Sequence, residues 1–133
     1  MRTIKFRGKD AENGMWIYGD LFQRIGFYPQ IIEYFADDNG KLAYRGIAVQ
    51  ENTVCQFTGL HDKDGKEIYE GDIVQSVYYK DFVYKVVYDD NRFASFCLER
   101  KKNMFRHFFG EAKDCEVIGN IYDNPELLKG NRL

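Results

Sequence analysis

The sequence predicts a mainly β fold, and three observations carry the expectation. Short runs alternate apolar and polar residues at period two, the mark of half-buried strands. Turn dipeptides separate those runs: Asn13-Gly14, Asn39-Gly40 and Asp64-Gly65. Aromatic residues make up 17% of the 133-residue chain, with ten Tyr and eleven Phe. That composition favours strands, and the scarcity of alanine argues against a helical bundle. The expected architecture is a small antiparallel barrel-like fold, SH3-like in its C-terminal half, with a short C-terminal helix. The length predicts a single domain over 1–133, divisible into subdomains 1–58 and 59–133.

The elements follow in order. Thr3 to Arg7 alternates as a first strand, and Glu12-Asn13-Gly14 turns the chain. Met15 to Phe22 returns, with Trp16, Tyr18 and Phe22 alternating against Ile17 and Leu21. Gly26 to Phe35 is rich in aromatic and β-branched residues, and Pro29 within it predicts an edge or an irregular approach. Asp37 to Gly40 turns into a strand over Lys41 to Asn52, with a short helical turn near Gln50 to Val54. Cys55 to Thr58 alternates and Gly59 ends the run. Lys66 to Tyr69, Ile73 to Tyr79, Tyr84 to Tyr88, Phe93 to Leu98 and Glu116 to Ile121 read as further strands. Asn124-Pro125-Glu126 offers a cap, a first-turn proline and a favourable charge, and Gly130 a stop, so a helix of one or two turns is predicted there.

The stretch Phe57 to Val74, F-T-G-L-H-D-K-D-G-K-E-I-Y-E-G-D-I-V, resembles the core signature of the YopX family of small phage and prophage proteins. The opening Arg2 to Asp10, R-T-I-K-F-R-G-K-D, with Met15-Trp16 after it, is similar to the family's N-terminal segment. Glu116 to Leu128, E-V-I-G-N-I-Y-D-N-P-E-L-L, is similar to its C-terminal segment. The three parts keep the family's order; residues 20–53 and 92–114 carry no signature. The resemblance implies origin in a mobile element. It implies no reaction and no catalytic residue.

Composition excludes several classes. A net charge of −2 supplies no global field toward nucleic acid or anionic membranes. No apolar run approaches the ~20 residues of a membrane-spanning helix. Three widely spaced cysteines, Cys55, Cys97 and Cys115, and an opening without a secretory signal predict reduced thiols in the host cytosol.

Chemistry is hard to place. Asp62, Asp64, Glu67, Glu70 and Asp72 crowd one stretch, but their spacing departs from a calcium loop, and a solvated turn explains them. His61 and His107 lie far apart and no Cys-x-x-Cys pair occurs, so no metal site and no cofactor are predicted. Cys55 and Cys97 fall at strand positions among apolar neighbours and read as inert. Cys115 sits between Asp114 and Glu116, which raise a thiol pKa. Asp37/Asp38 and Asp89/Asp90 are the acid–base candidates, and both pairs fall in turns. The expectation is therefore a protein that is not an enzyme and takes no small-molecule substrate.

Two stretches point to binding. Tyr78, Tyr79, Phe82 and Tyr84 form a dense aromatic run that a small sheet face does not easily bury. They are the candidate contact of a homo-oligomer, with ordinary core as the competing reading. Arg100, Lys101, Lys102, Phe105, Arg106 and His107 combine cations with aromatic rings, a pattern suited to single-stranded nucleic acid, although Glu99, Glu111 and Asp114 flank it. The predicted function is a non-catalytic, self-associating accessory module of phage or prophage origin. The alternative is a nucleic-acid-binding accessory protein using residues 100–109.

Overall fold

The computed structural model describes residues 3–89, 95–101, 104–108 and 112–129, and for residues 89, 95, 100, 101 and 104–108 it describes the backbone. The chain divides into two compact units, Met1–Phe57 and Thr58–Leu133. In the first unit β1 (Phe6–Lys9), β2 (Trp16–Phe22), β3 (Gln30–Ala36) and β4 (Leu42–Ala48) follow one another, joined by loops and turns. A 3-10 turn at Glu51–Thr53 leads into β5 (Cys55–His61), which carries the chain across the unit boundary. The second unit continues with β6 (Glu67–Tyr69), β7 (Asp72–Ser76), β8 (Val83–Asp89), β9 (Ser95–Lys101), β10 (Met104–Phe108) and β11 (Cys115–Asn120), and a 3-10 turn at Pro125–Leu128 follows.

Pairing is antiparallel throughout the described registers, in two sheets ordered β4-β3-β2-β1-β5-β6 and β10-β9-β8-β7-β11. Each sheet has two ends, so neither is a closed barrel. This corrects the barrel expectation. Strand periodicity and turn residues are local signals; whether the first and last strands of a sheet meet depends on cumulative twist and stagger.

The predicted C-terminal helix is also corrected. Pro125–Leu128 forms a single 3-10 turn, and Asn124 makes no side-chain cap to it. The Asn124 side chain instead accepts the Asn120 N–H at 3.3 Å, so the capping oxygen holds the end of β11. Gly130, the expected stop, lies outside the described residues, as do Asp90 and Phe93.

In the first unit the sheet curls. Asp10 bridges Val49, the Ala11 N–H donates to the Ala48 carbonyl at 2.9 Å, and the Gln50 N–H donates to the Lys9 carbonyl at 2.8 Å. Ile31, Val49, Cys55 and Phe57 are buried in this unit. In the second unit Ile68, Val74, Val86, Leu98, Ala112 and Cys115 form the core, with Leu60, Tyr84 and Val117 packed against it. Gly59 was expected to end its strand. It instead sits within β5 at φ +86°, a backbone state in which the missing Cβ removes the steric cost, so the strand passes through it.

Candidate functional site

Strand register decides which side chains share a face. In the first unit Tyr34 pairs with Tyr44, Ile32 with Gly46 and with Asp20, and Phe22 with Gln30. Opposed residues lie on one face, so β2, β3 and β4 present Tyr18, Phe22, Tyr34, Leu42 and Tyr44 together. All five are exposed, Leu42 at 80% and Tyr44 at 71%. The Tyr34 and Tyr44 rings lie 6.2 Å apart at a tilt of 51°. The Tyr34 hydroxyl donates to Asp20 Oδ2 at 2.9 Å, and that hydrogen bond and the Asp20 charge push the phenol above its ordinary pKa. The Tyr34 hydroxyl thus links β3 to Asp20 of β2 across the aromatic face.

The face continues onto β1 as a cationic end. The Arg7 guanidinium lies 4.5 Å and the Lys9 ammonium 5.4 Å from the centre of the Trp16 ring. Arg7 is buried. A cation over an indole face is a favourable pair, worth more where water is excluded. Arg45 donates to Glu33 at 2.6 Å, and the two line an open groove of about 390 Å³ with Met15, Trp16, Ile17 and Ile47.

The second unit uses its acids differently. Asp62 is 6% exposed. Its Oδ1 accepts the N–H groups of Asp64 at 2.8 Å and Lys66 at 3.0 Å, and its Oδ2 accepts the Val117 N–H at 3.0 Å. Burial pushes this carboxyl up, but the three backbone donors, helped by the Lys66 charge, outweigh it and hold the group below its ordinary range. The Lys63 N–H donates to the Cys115 carbonyl at 3.0 Å, so the Asp62–Gly65 turn is tied to β11 at two points. Asp72 likewise accepts the Tyr69 N–H at 2.8 Å, and Thr58 donates to the Ile68 carbonyl at 2.8 Å. The acid-rich stretch therefore organises backbone, with its best-placed carboxylate turned inward.

The cysteines are equally structural. Cys55, Cys97 and Cys115 are buried free thiols, none in a disulfide. Burial raises the Cys115 thiol, and the negative charges of Asp114 and Asp62 raise it further. A thiol so placed is a poor nucleophile.

Of the residues expected to make an oligomer contact, Tyr78 and Tyr79 are exposed, and Phe82 and Tyr84 are half-buried. The structure brings Tyr79, Phe82 and Tyr84 together, with ring centres 5.4 Å apart for the first pair and 6.4 Å for the second. Tyr84 packs on the core, and the Tyr78 hydroxyl donates to Asp114 at 3.3 Å. The basic segment becomes the β9–β10 hairpin. The register sets Arg106 opposite Glu99 and Met104 opposite Lys101. Glu99 is buried and lies 3.4 Å from the Lys85 ammonium. An acid thus faces one of the four cations. Lys102 lies outside the described residues, as do the side chains of Arg100, Lys101, Phe105, Arg106 and His107.

The aromatic face of the first unit was not singled out from the sequence. Tyr18 and Phe22 do alternate in β2, and Tyr44 lies in a strand-like run. Alternation shows that they share a face, not that the face is exposed.

Mainly β, with two open antiparallel sheets and exposed aromatic surfaces, the chain is similar to a solved structure titled crystal structure of protein EF1440 from Enterococcus faecalis. The two share 25% identity with a TM-score of 0.58, over 97% of this chain and 100% of that one. The family model described as YopX protein matches residues 5–129, and the chain belongs to the YopX family. No curated protein matches it.

Proposed function

We propose that this protein is a non-catalytic binding module of phage or prophage origin that associates with copies of itself. The observation behind this reading is the exposed aromatic face of β2, β3 and β4. Five large apolar side chains share it with a single carboxylate, Asp20. A contiguous apolar surface of this kind costs free energy in water, and aromatic residues with few charges are what the centres of protein interfaces contain. The acids and thiols support a non-catalytic role, because Asp62 is taken up by backbone donors and the Cys115 thiol is raised. Three cysteines without a disulfide support the host cytosol as the working compartment. We read the order β10-β9-β8-β7-β11, in which the last strand returns beside β7, as an SH3-like meander that carries the second aromatic cluster at Tyr79, Phe82 and Tyr84. Sedimentation equilibrium over a hundredfold range of protein concentration tests the reading. A mass that rises above the monomer, and that falls in a Tyr34→Ser/Tyr44→Ser variant, is expected; monomer mass across the whole range overturns it.

A second reading has one observation in its favour. Hairpin pairing gathers residues 98–101 and 104–108 onto two adjacent strands, with β10 at the end of its sheet. Single-stranded nucleic acid would track such a basic edge. Salt-sensitive oligonucleotide binding that is lost in an Arg100→Ala/Lys101→Ala/Lys102→Ala/Arg106→Ala variant is the expected result. No binding at low salt removes this reading.

A further inference from the structure

The end of the first sheet is β4, and its backbone carries information that the aromatic face alone does not. The Asp37 N–H donates to the Lys41 carbonyl at 2.8 Å, and the Val49 N–H donates to the Pro29 carbonyl at 3.0 Å. Both belong to the β3–β4 ladder, in which paired numbers sum to 78. In an antiparallel pair, bonded and non-bonded positions alternate. Residues 43, 45 and 47 therefore turn their N–H and C=O groups toward β3. Leu42, Tyr44, Gly46 and Ala48 turn theirs outward. The Ala48 carbonyl is already taken by the Ala11 N–H. The outward row that remains is Leu42, Tyr44 and Gly46, and all three residues are exposed.

Such an edge is a template for another strand, and proteins usually blunt it with charges, proline or a bulge. β4 reads L-A-Y-R-G-I-A. It has no proline, and its one charge, Arg45, is neutralised from the neighbouring strand by Glu33 at 2.6 Å.

We propose that a second copy of this chain adds to that edge, β4 against β4, antiparallel about a two-fold axis at Tyr44. This rests on the self-association reading above and names its geometry. The register follows by elimination. Centring on Arg45 sets two guanidinium groups opposite each other. Centring on Ala43 sets Lys41 opposite Arg45. Centring on Gly46 needs the Ala48 carbonyl, which Ala11 holds, and centring on Leu42 needs the Gly40 N–H, which the Asp37 carbonyl holds at 2.9 Å. Centring on Tyr44 avoids all four. It pairs Tyr44 with Tyr44 of the partner subunit, and Leu42 with Gly46 of the partner subunit in both directions, each pair exchanging two backbone hydrogen bonds. It sets Arg45 beside Ala43 of the partner subunit. The aromatic faces of the two copies then lie on the same side of one continuous sheet, with the two Tyr44 residues joining them.

Cross-linking reads the register directly. Ala43 and Arg45 of the partner subunit would form a non-bonded pair with Cα atoms ~4.5 Å apart, within disulfide reach. Ala43→Cys and Arg45→Cys are purified separately, and each is incubated alone and as a mixture in a glutathione buffer. The three native cysteines are common to all samples. The expected result is covalent dimer in the mixture and background in either variant alone. Sedimentation runs in parallel on the wild type and on Tyr44→Pro, whose lost N–H belongs to the outward row and not to the β3 ladder. That variant is expected to shift to monomer mass. An oligomeric mass with no excess cross-linking in the mixture, or with best cross-linking in one variant alone, overturns the β4 pairing and leaves the self-association reading intact. Monomer mass for the wild type overturns both.

Discussion

Asp62 offers the sharpest test of how the second unit is held together. The perturbation is Asp62→Ala. Three backbone donors, from Asp64, Lys66 and Val117, lose a charged acceptor at 2.8 to 3.0 Å. A hydrogen bond to a charged group contributes ~1.5–3 kcal/mol, and a buried donor left without a partner costs ~1–3 kcal/mol. The three bonds share one carboxylate and are not additive, and water can reach the turn side of the site. The expected loss is therefore ~3–5 kcal/mol rather than the full sum. Asp62→Asn keeps one acceptor oxygen and sets an NH2 group against a backbone N–H, so its loss falls between wild type and alanine. Asp64→Ala, at an exposed side chain two residues away, is the control and should change stability by no more than ~0.5 kcal/mol. Urea unfolding followed by far-UV circular dichroism measures all three, and hydrogen exchange at the Val117 amide localises the effect. The sign of the pH dependence follows from the depressed carboxyl. Its stabilisation is complete above the unfolded-state value of ~3.9 and is lost as pH falls through the lower folded value. Wild type should thus lose more stability on acidification than Asp62→Asn does. An Asp62→Ala protein as stable as Asp64→Ala, with unchanged exchange at Val117, would refute the reasoning.

Two other outcomes follow from the same geometry. At Gly19 an added Cβ would collide with the Ile32 carbonyl oxygen, whereas at Gly14 it meets open space and costs only the backbone strain of φ +74°, so Gly19→Ala should lose more thermal stability than Gly14→Ala in differential scanning fluorimetry. Thiol titration of the native protein should label Cys55, Cys97 and Cys115 slowly, with all three reacting at once in denaturant; rapid labelling of Cys115 in the native state would show that its thiol is neither buried nor raised.

Much of the fold was legible in the sequence because its signals are local. Period-two alternation and Asn-Gly or Asp-Gly turns located β2, β4, β6 and the hairpin turns within a few residues, and the helical turn expected near Gln50 to Val54 appears as the 3-10 turn at Glu51–Thr53. β10 was missed, since Met104–Phe108 reads as a basic segment until β9 is known to lie beside it. Gly59 was misread because a glycine can end a strand or let it pass, and the neighbouring strands choose.

Residue chemistry alone determined that the chain builds strands, that Asn-Gly and Asp-Gly pairs mark its turns, and that its opening, centre and end resemble one family. Tertiary structure decided what those residues do. Tyr34 and Tyr44 could have been core; pairing β3 with β4 turned them outward. Asp62 could have been a solvated turn acid; β11 brought Val117 to it from 55 residues away. The open edge at Leu42, Tyr44 and Gly46 exists because β4 comes last in its sheet and Ala11 closes one end of it. Strand order and register are set by contacts distant in sequence, whose loop-closure cost and packing gain no local window contains.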